Sequence, residues 1–182
     1  MLTLRKIQTH QQEYLFVENL LHISFPQSER WDDESQRNHT DHNPLFSCYL
    51  ISADTEEGEH EIPIGLITVW ALGKFYYLEH FAILPKMRNK GYGRQAMQQI
   101  KESFRGLLVM EVEQPLDKLS TRRIEFYKRC GFALCKQNYV QPVCREGEQV
   151  PPLNLMYAGR VNIDSEFEMI KTTIYREVYG IK

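Results

Sequence analysis

The sequence predicts an α/β fold built on a central mixed sheet of about seven strands, flanked by helices and followed by an extra carboxy-terminal helix. Three observations carry that reading. Residues 45–84 hold three successive β-rich runs joined by short turns, which makes an antiparallel meander. Gly91-x-Gly93 then opens a helical pattern, and residues 107–113 return as a strand, an order that sets this strand parallel to the one ending at Leu84. Beyond the last β-rich run, Phe167, Ile170, Ile174 and Val178 recur at helical spacing.

At 182 residues the chain can bury one sizeable core, and a hydrophobic share of 42% with 25% charged residues describes a globular protein. A net charge of −2 argues against holding nucleic acid through an overall field. The four cysteines, Cys48, Cys130, Cys135 and Cys144, form no C-x-x-C pair and have no histidine at zinc-ligand spacing, so reduced thiols without a metal are expected. The segment Met1–Lys6 lacks the apolar stretch of a signal peptide, and no later run reaches membrane-spanning length. These features point to the cytoplasm and away from a membrane.

Taken in order, Leu2–Ile7 alternates as a first strand, and Thr9-x-x-Gln12 reads as a capping box for a helix with Tyr14, Val17, Leu21 and Phe25 on one face. A more polar helix is expected from Ser28 to Thr40. Strands follow at Leu45–Ala53 and Pro63–Leu72, joined by an acidic turn containing Gly58, and then at Phe75–Leu84. The helix after the glycines buries Ala96, Met97, Ile100 and Phe104 and stops at Gly106, ahead of the strand Leu107–Glu113. Ser120 can cap the next helix, which Gly131 ends, and strands at Phe132–Asn138 and Leu153–Tyr157 flank a loop over 141–152. A last helix spans Asp164–Tyr179.

The chemistry gathers at Met87-Arg88-Asn89-Lys90-Gly91-Tyr92-Gly93-Arg94. Gly91 and Gly93 let a ligand approach the backbone, and a helix starting at Tyr92 directs unpaired N–H groups and its positive dipole end to the same place. Arg88, Lys90 and Arg94 add charge, so the loop reads as a phosphate cradle. Residues 91–96 also satisfy the G-x-G-x-x-A dinucleotide fingerprint. Context argues against that alternative, because residues 85–90 separate the first glycine from its strand and a meander comes first.

This order of elements, with Arg88-x-x-Gly91-x-Gly93 and Phe126-Tyr127-x-x-Cys130-Gly131-Phe132, resembles the GNAT superfamily of acetyl-CoA-dependent N-acetyltransferases. The motifs cover residues 75–135 and the surrounding elements match nearly the whole chain, which would place a GNAT domain at 1–160 and a helical extension, packed on it or on a dimer partner, at 161–182. The resemblance implies a splayed sheet and acetyl-CoA as acyl donor. Arg88, Asn89, Lys90, Gly91, Tyr92, Gly93 and Arg94 would hold its pyrophosphate, and the backbone of Phe81, Ala82 and Ile83 its pantetheine arm. It implies Tyr127 as the acid for the leaving thiolate, while many relatives carry an Asn where this chain has Ser120. Glu79 is the candidate base, with Glu111 and Glu113 in reserve, and His80 is read as a packed side chain on the opposite face.

The acceptor would be a small-molecule or peptide amine. Glu29, Asp32 and Asp33 could favour a cation, and Trp31, Tyr139 and Gln141 could wall its cleft. The rival reading is a non-catalytic acyl-CoA-binding or sensing module that engages a protein partner, and the chain would be a monomer or homodimer.

Overall fold

A computed structural model describes residues 1–54, 60–142, 152–161 and 163–181. The acidic turn around Gly58, Cys144 and most of the 141–152 loop lie outside the described residues. The strands are β1 (Leu2–Ile7), β2 (Phe46–Asp54), β3 (Glu61–Ala71), β4 (Phe75–Ile83), β5 (Leu107–Glu113), β6 (Ala133–Leu134) and β7 (Leu153–Ala158). They form a seven-stranded, mostly antiparallel sheet in the order β1-β2-β3-β4-β5-β7-β6. The helices are α1 (Tyr14–Ser24), α2 (Asp33–His42), α3 (Tyr92–Ser103), α4 (Lys118–Arg129) and α5 (Ile163–Glu177). Two compact units result: Met1–Trp70 with Glu79–Ser103, and Ala71–Leu78 with Phe104–Lys182.

In the first unit, β2 pairs antiparallel with both β1 and β3. The β2–β3 register slips where Ile51 faces Gly65 and Ser52 faces Pro63, so Ile64 is the extra residue of a bulge. A bulge accommodates Pro63, which cannot donate to a ladder. Gly65 is required there for a second reason: a Cβ on it would lie 2.6 Å from the Ala82 carbonyl oxygen and 2.8 Å from Ile83 Cδ1. The end of β4 is thus pressed directly on β3. Leu2, Ile51, Ala53, Ile64, Ile83 and Ala96 make a buried apolar cluster that joins α3 to these strands.

Two expectations fail in this unit. Thr9 does not cap α1; its N–H donates to Asp41 Oδ1 at 3.0 Å and its hydroxyl to Asp41 Oδ2, while successive turns carry the chain to Glu13, the residue before the helix. Residues 27–29 form a separate 3₁₀ turn, and α2 begins only after Asp32, whose carboxylate accepts from the Ser35 N–H at 2.9 Å. Asp32 is the better cap, since an acidic side chain meets the positive helix end.

In the second unit, β4 and β5 run parallel with Phe75–Tyr77 opposite Leu107–Val109, and β5 continues against β7 to Glu113. α4 starts at Lys118 behind Asp117, which accepts from the Ser120 N–H at 2.7 Å while the Ser120 hydroxyl accepts from the Asp117 N–H at 3.2 Å. Ser120 therefore closes a capping box from inside the helix, and is not the cap itself. The strand expected over Phe132–Asn138 is reduced to Ala133–Leu134, followed by one further bond from the Cys135 N–H to the Leu155 carbonyl at 2.8 Å. Tyr139 then turns inward to Glu111, and that tertiary bond takes the place of a longer ladder.

Candidate active site

The glycine loop is fastened at both ends. Met87 and Tyr92 pack against the cluster of Ile83 and Ala96, and the Arg88 Nε–H donates to the Ile83 carbonyl at 2.9 Å. Between them Asn89 has φ 62° and Gly91 φ 83°, so left-handed residues flank the exposed Lys90. The first α-helical bond of α3 runs from the Gln95 N–H to the Gly91 carbonyl at 3.2 Å. A helix that opens there leaves the N–H groups of its first turn without intrahelical acceptors and orients them outward. Lys90 and Arg94 are exposed beside them. Residues of this loop present the backbone donors and positive field that a pyrophosphate requires.

Four residues upstream of Ile83, Glu79 is almost sealed, with 8% of its side chain exposed. Its Oε1 accepts from Trp31 Nε1–H at 2.8 Å, and its Oε2 from Trp70 Nε1–H at 3.1 Å and the Thr68 hydroxyl at 3.3 Å. Burial pushes the carboxyl up, but the charge of His80 and hydrogen bonds from His80, Trp70 and Trp31 outweigh it and hold Glu79 below the ordinary carboxylate range. His39 packs edge-on against both indoles, at 4.9 Å from Trp31 and 5.1 Å from Trp70, and burial holds its imidazole low.

His80 is not turned away from Glu79. Its Nδ1 lies 3.4 Å from Glu79 Oε2, and its Nε2 lies 2.8 Å from the Glu29 carbonyl oxygen. The regular alternation expected of β4 would have put these two side chains on opposite faces. The linking group is Thr68 on β3, whose hydroxyl accepts the His80 backbone N–H at 3.0 Å and reaches both side chains.

In the second unit Tyr127 is buried on α4 between the Phe126 and Phe132 rings, at 5.2 and 6.0 Å. Burial pushes its phenol up to about 12. The Phe132 N–H donates back to the Tyr127 carbonyl at 3.0 Å, and Gly131 takes φ 86° to end the helix, which explains the spacing of the Tyr127-x-x-Cys130-Gly131-Phe132 stretch. The reserve acids are otherwise engaged. Glu111 accepts from the Tyr139 hydroxyl and, at 2.7 Å, from the Tyr179 hydroxyl; Glu113 pairs with Arg123 at 3.0 Å.

The profile of the acetyltransferase (GNAT) family matches residues 11–132. The chain belongs to the GNAT acetyltransferase family. A solved structure described as a putative GNAT-family acetyltransferase from Bacteroides thetaiotaomicron is 36% identical, with 99% of each chain covered and a TM-score of 0.90. A spermidine N-acetyltransferase from Vibrio cholerae, solved with CoA and spermine, shares the GNAT fold at 16% identity and a TM-score of 0.62, covering 86% of this chain and 94% of that one. No curated protein matches the chain. GNAT enzymes use acetyl-CoA, and the left-handed, positively charged entry to α3 fits the pyrophosphate of that donor.

Sequence reasoning missed the Trp31, Trp70 and Thr68 shell of Glu79, because contacts across 48 or 11 residues leave no local pattern. Of the three acids proposed for a cationic acceptor, Asp32 caps α2 and Asp33 sits 2.7 Å from His22 Nε2 and 3.4 Å from Arg30. Of the proposed cleft walls, Trp31 serves Glu79, Tyr139 serves Glu111, and the Gln141 amide donates to the Tyr179 hydroxyl at 2.8 Å.

Proposed function

We propose that this GNAT protein is an N-acetyltransferase that carries the acetyl group of acetyl-CoA to a primary amine by direct attack in a ternary complex. A lysine-like amine with pKa ~10.4 is neutral in fewer than about one molecule in a thousand at pH 7, which adds roughly 4–5 kcal/mol to the barrier unless a base takes the proton. The observation that carries the reading is Glu79, a buried carboxylate held ionised on the strand that ends in Phe81, Ala82 and Ile83. In this reading those three residues offer their backbone to the pantetheine arm, and Arg88, Asn89, Lys90, Gly91, Tyr92, Gly93 and Arg94 hold the pyrophosphate. Glu79 receives the amine proton as the nitrogen attacks the thioester carbon.

Tyr127 serves the leaving sulfur. A phenol at about 12 stays protonated at neutral pH. Handing its proton outright to a thiolate of pKa ~8.5 would run uphill by roughly 4–5 kcal/mol, so its contribution is a hydrogen bond that strengthens as charge builds on sulfur. Of the two protons that the ammonium sheds in becoming an amide, the first goes to Glu79 and the second neutralises the thiolate through solvent.

The test is thiol release from acetyl-CoA across a panel of primary amines. The panel begins with spermine, which the Vibrio cholerae fold neighbour holds together with CoA. Transfer to an amine, with Glu79→Gln slowed by about 100-fold or more, is expected. Tight acetyl-CoA binding without turnover of any amine would instead favour the acyl-CoA sensing reading.

A further inference from the structure

The Glu79 carboxylate alone is poorly matched to its task. Two indole N–H groups and the Thr68 hydroxyl already surround its oxygens, which leaves little room for a proton to stay there. The adjoining imidazole supplies what is lacking. The Glu29 carbonyl can only accept, so the contact at 2.8 Å fixes the proton of neutral His80 on Nε2. Nδ1 is then the basic nitrogen, and it lies 3.4 Å from both Glu79 Oε2 and the Thr68 hydroxyl.

Thr68 makes both protonation states of this pair tolerable. Its hydroxyl accepts the His80 backbone N–H at 3.0 Å, which fixes the oxygen while leaving its own hydrogen free to rotate. That oxygen is 3.4 Å from His80 Nδ1 and 3.3 Å from Glu79 Oε2. When His80 is neutral, the hydroxyl can donate to Nδ1. When Nδ1 carries a proton, that N–H donates to Oε2 and the hydroxyl turns to the carboxylate. One rotor thus keeps the buried acceptors satisfied in either state, at sites where an unsatisfied group costs about 1–3 kcal/mol.

We propose that Glu79 and His80 act as one proton-accepting pair, in which the proton taken from the amine by Glu79 comes to rest on His80 Nδ1. This rests on the reading of Glu79 as the proton acceptor. As the C–N bond forms and the C–S bond breaks with its electron pair on sulfur, the N–H proton passes to a Glu79 oxygen. It then moves from Oε2 to Nδ1, which returns Glu79 to carboxylate and leaves His80 an imidazolium. His80 is a positioning residue, since it works through Glu79. Besides Glu79 and Thr68, the groups facing the pair are the Trp31 and Trp70 indole N–H groups, the Glu29 carbonyl and the Phe25 ring, with His39 on α2 and the Cys48 thiol on β2 within electrostatic reach of Glu79.

The pairing is tested in the ligand-free protein by nitrogen NMR of His80 and carbon NMR of the Glu79 carboxyl across pH. Wild-type His80 should be the Nε2–H tautomer at high pH and take its proton on Nδ1 as the pH falls. Glu79→Gln should lower the midpoint of that step by about one unit or more, because the facing negative charge is lost. Reciprocally, His80→Gln should raise the Glu79 midpoint by a similar amount, since the two sites share one coupling. If each midpoint were unmoved by removal of the other, or neutral His80 carried its proton on Nδ1, the pair would not exist. An intact pair in a protein whose Glu79→Gln variant turns over at the wild-type rate would locate the fault in the base assignment instead.

Discussion

Tyr127 and Glu79 differ in how their surroundings set them. Tyr127 sits among aromatic rings, and burial keeps its phenol protonated, so Tyr127→Phe should lower kcat roughly 10- to 100-fold while leaving the KM for acetyl-CoA near wild type. Steady-state kinetics at saturating amine reads this directly, and an unchanged kcat would remove Tyr127 from the thiolate. Glu79 is held down by its donors and by His80, so its folded value lies below its unfolded one. A depressed carboxylate contributes stability that is present above the unfolded value, ordinarily about 4.5, and is lost as pH falls through the folded value. Wild-type chain should therefore lose more stability than Glu79→Gln between about pH 5 and pH 3, as measured by urea midpoints across pH.

At the scale of the element, the β3 bulge and the end of β4 depend on each other through Gly65. Gly65→Ala would drive a methyl group to 2.6 Å from the Ala82 carbonyl oxygen, which β4 cannot accept without shifting, and should cost about 1–3 kcal/mol in urea denaturation. Because the displaced residues are those proposed to meet the pantetheine arm, acetyl-CoA affinity should fall with it. In the other unit, the segment following α5 is tied to β5 through the Tyr179 hydroxyl on Glu111 and to the 139–142 stretch through Gln141, while α5 itself reaches that stretch through the Tyr175 hydroxyl on the Val140 carbonyl. Tyr179→Phe should lower stability by about 1–2 kcal/mol by removing one donor from a half-buried carboxylate.

These elements also mark what could be read from the chain. Strands with alternating or continuous apolar runs were legible almost to the residue, as Leu107–Glu113 shows, because hydrophobic period is a local signal. Helix starts were less so. Thr9 and Ser120 have the chemistry of caps, but Asp41 claims the first and Asp117 stands ahead of the second. The glycine loop was legible as the opening of α3, where Gly91 takes φ 83° just ahead of the apolar helix face. The shell of Glu79 was not, since Trp31 ahead of α2 and the β3 residues Thr68 and Trp70 reach Glu79 only through folding.

For the whole molecule, membership of the GNAT family and a match to a 36% identical structure over 99% of both chains define the frame in which these residues act. No helix among the described residues is long and apolar enough to cross a membrane. The central claim is that the entry to α3 and the end of β4 receive acetyl-CoA. Its most direct measurement is the unfolding temperature of the purified chain with acetyl-CoA, against free CoA and NAD. At a hundred times its dissociation constant a ligand adds about 2.7 kcal/mol, which for a domain of this size corresponds to a rise of roughly 5–10 °C. A rise of that order with acetyl-CoA and CoA and none with NAD is the expected result; no rise with acetyl-CoA, or one with NAD alone, would contradict the assignment of the loop.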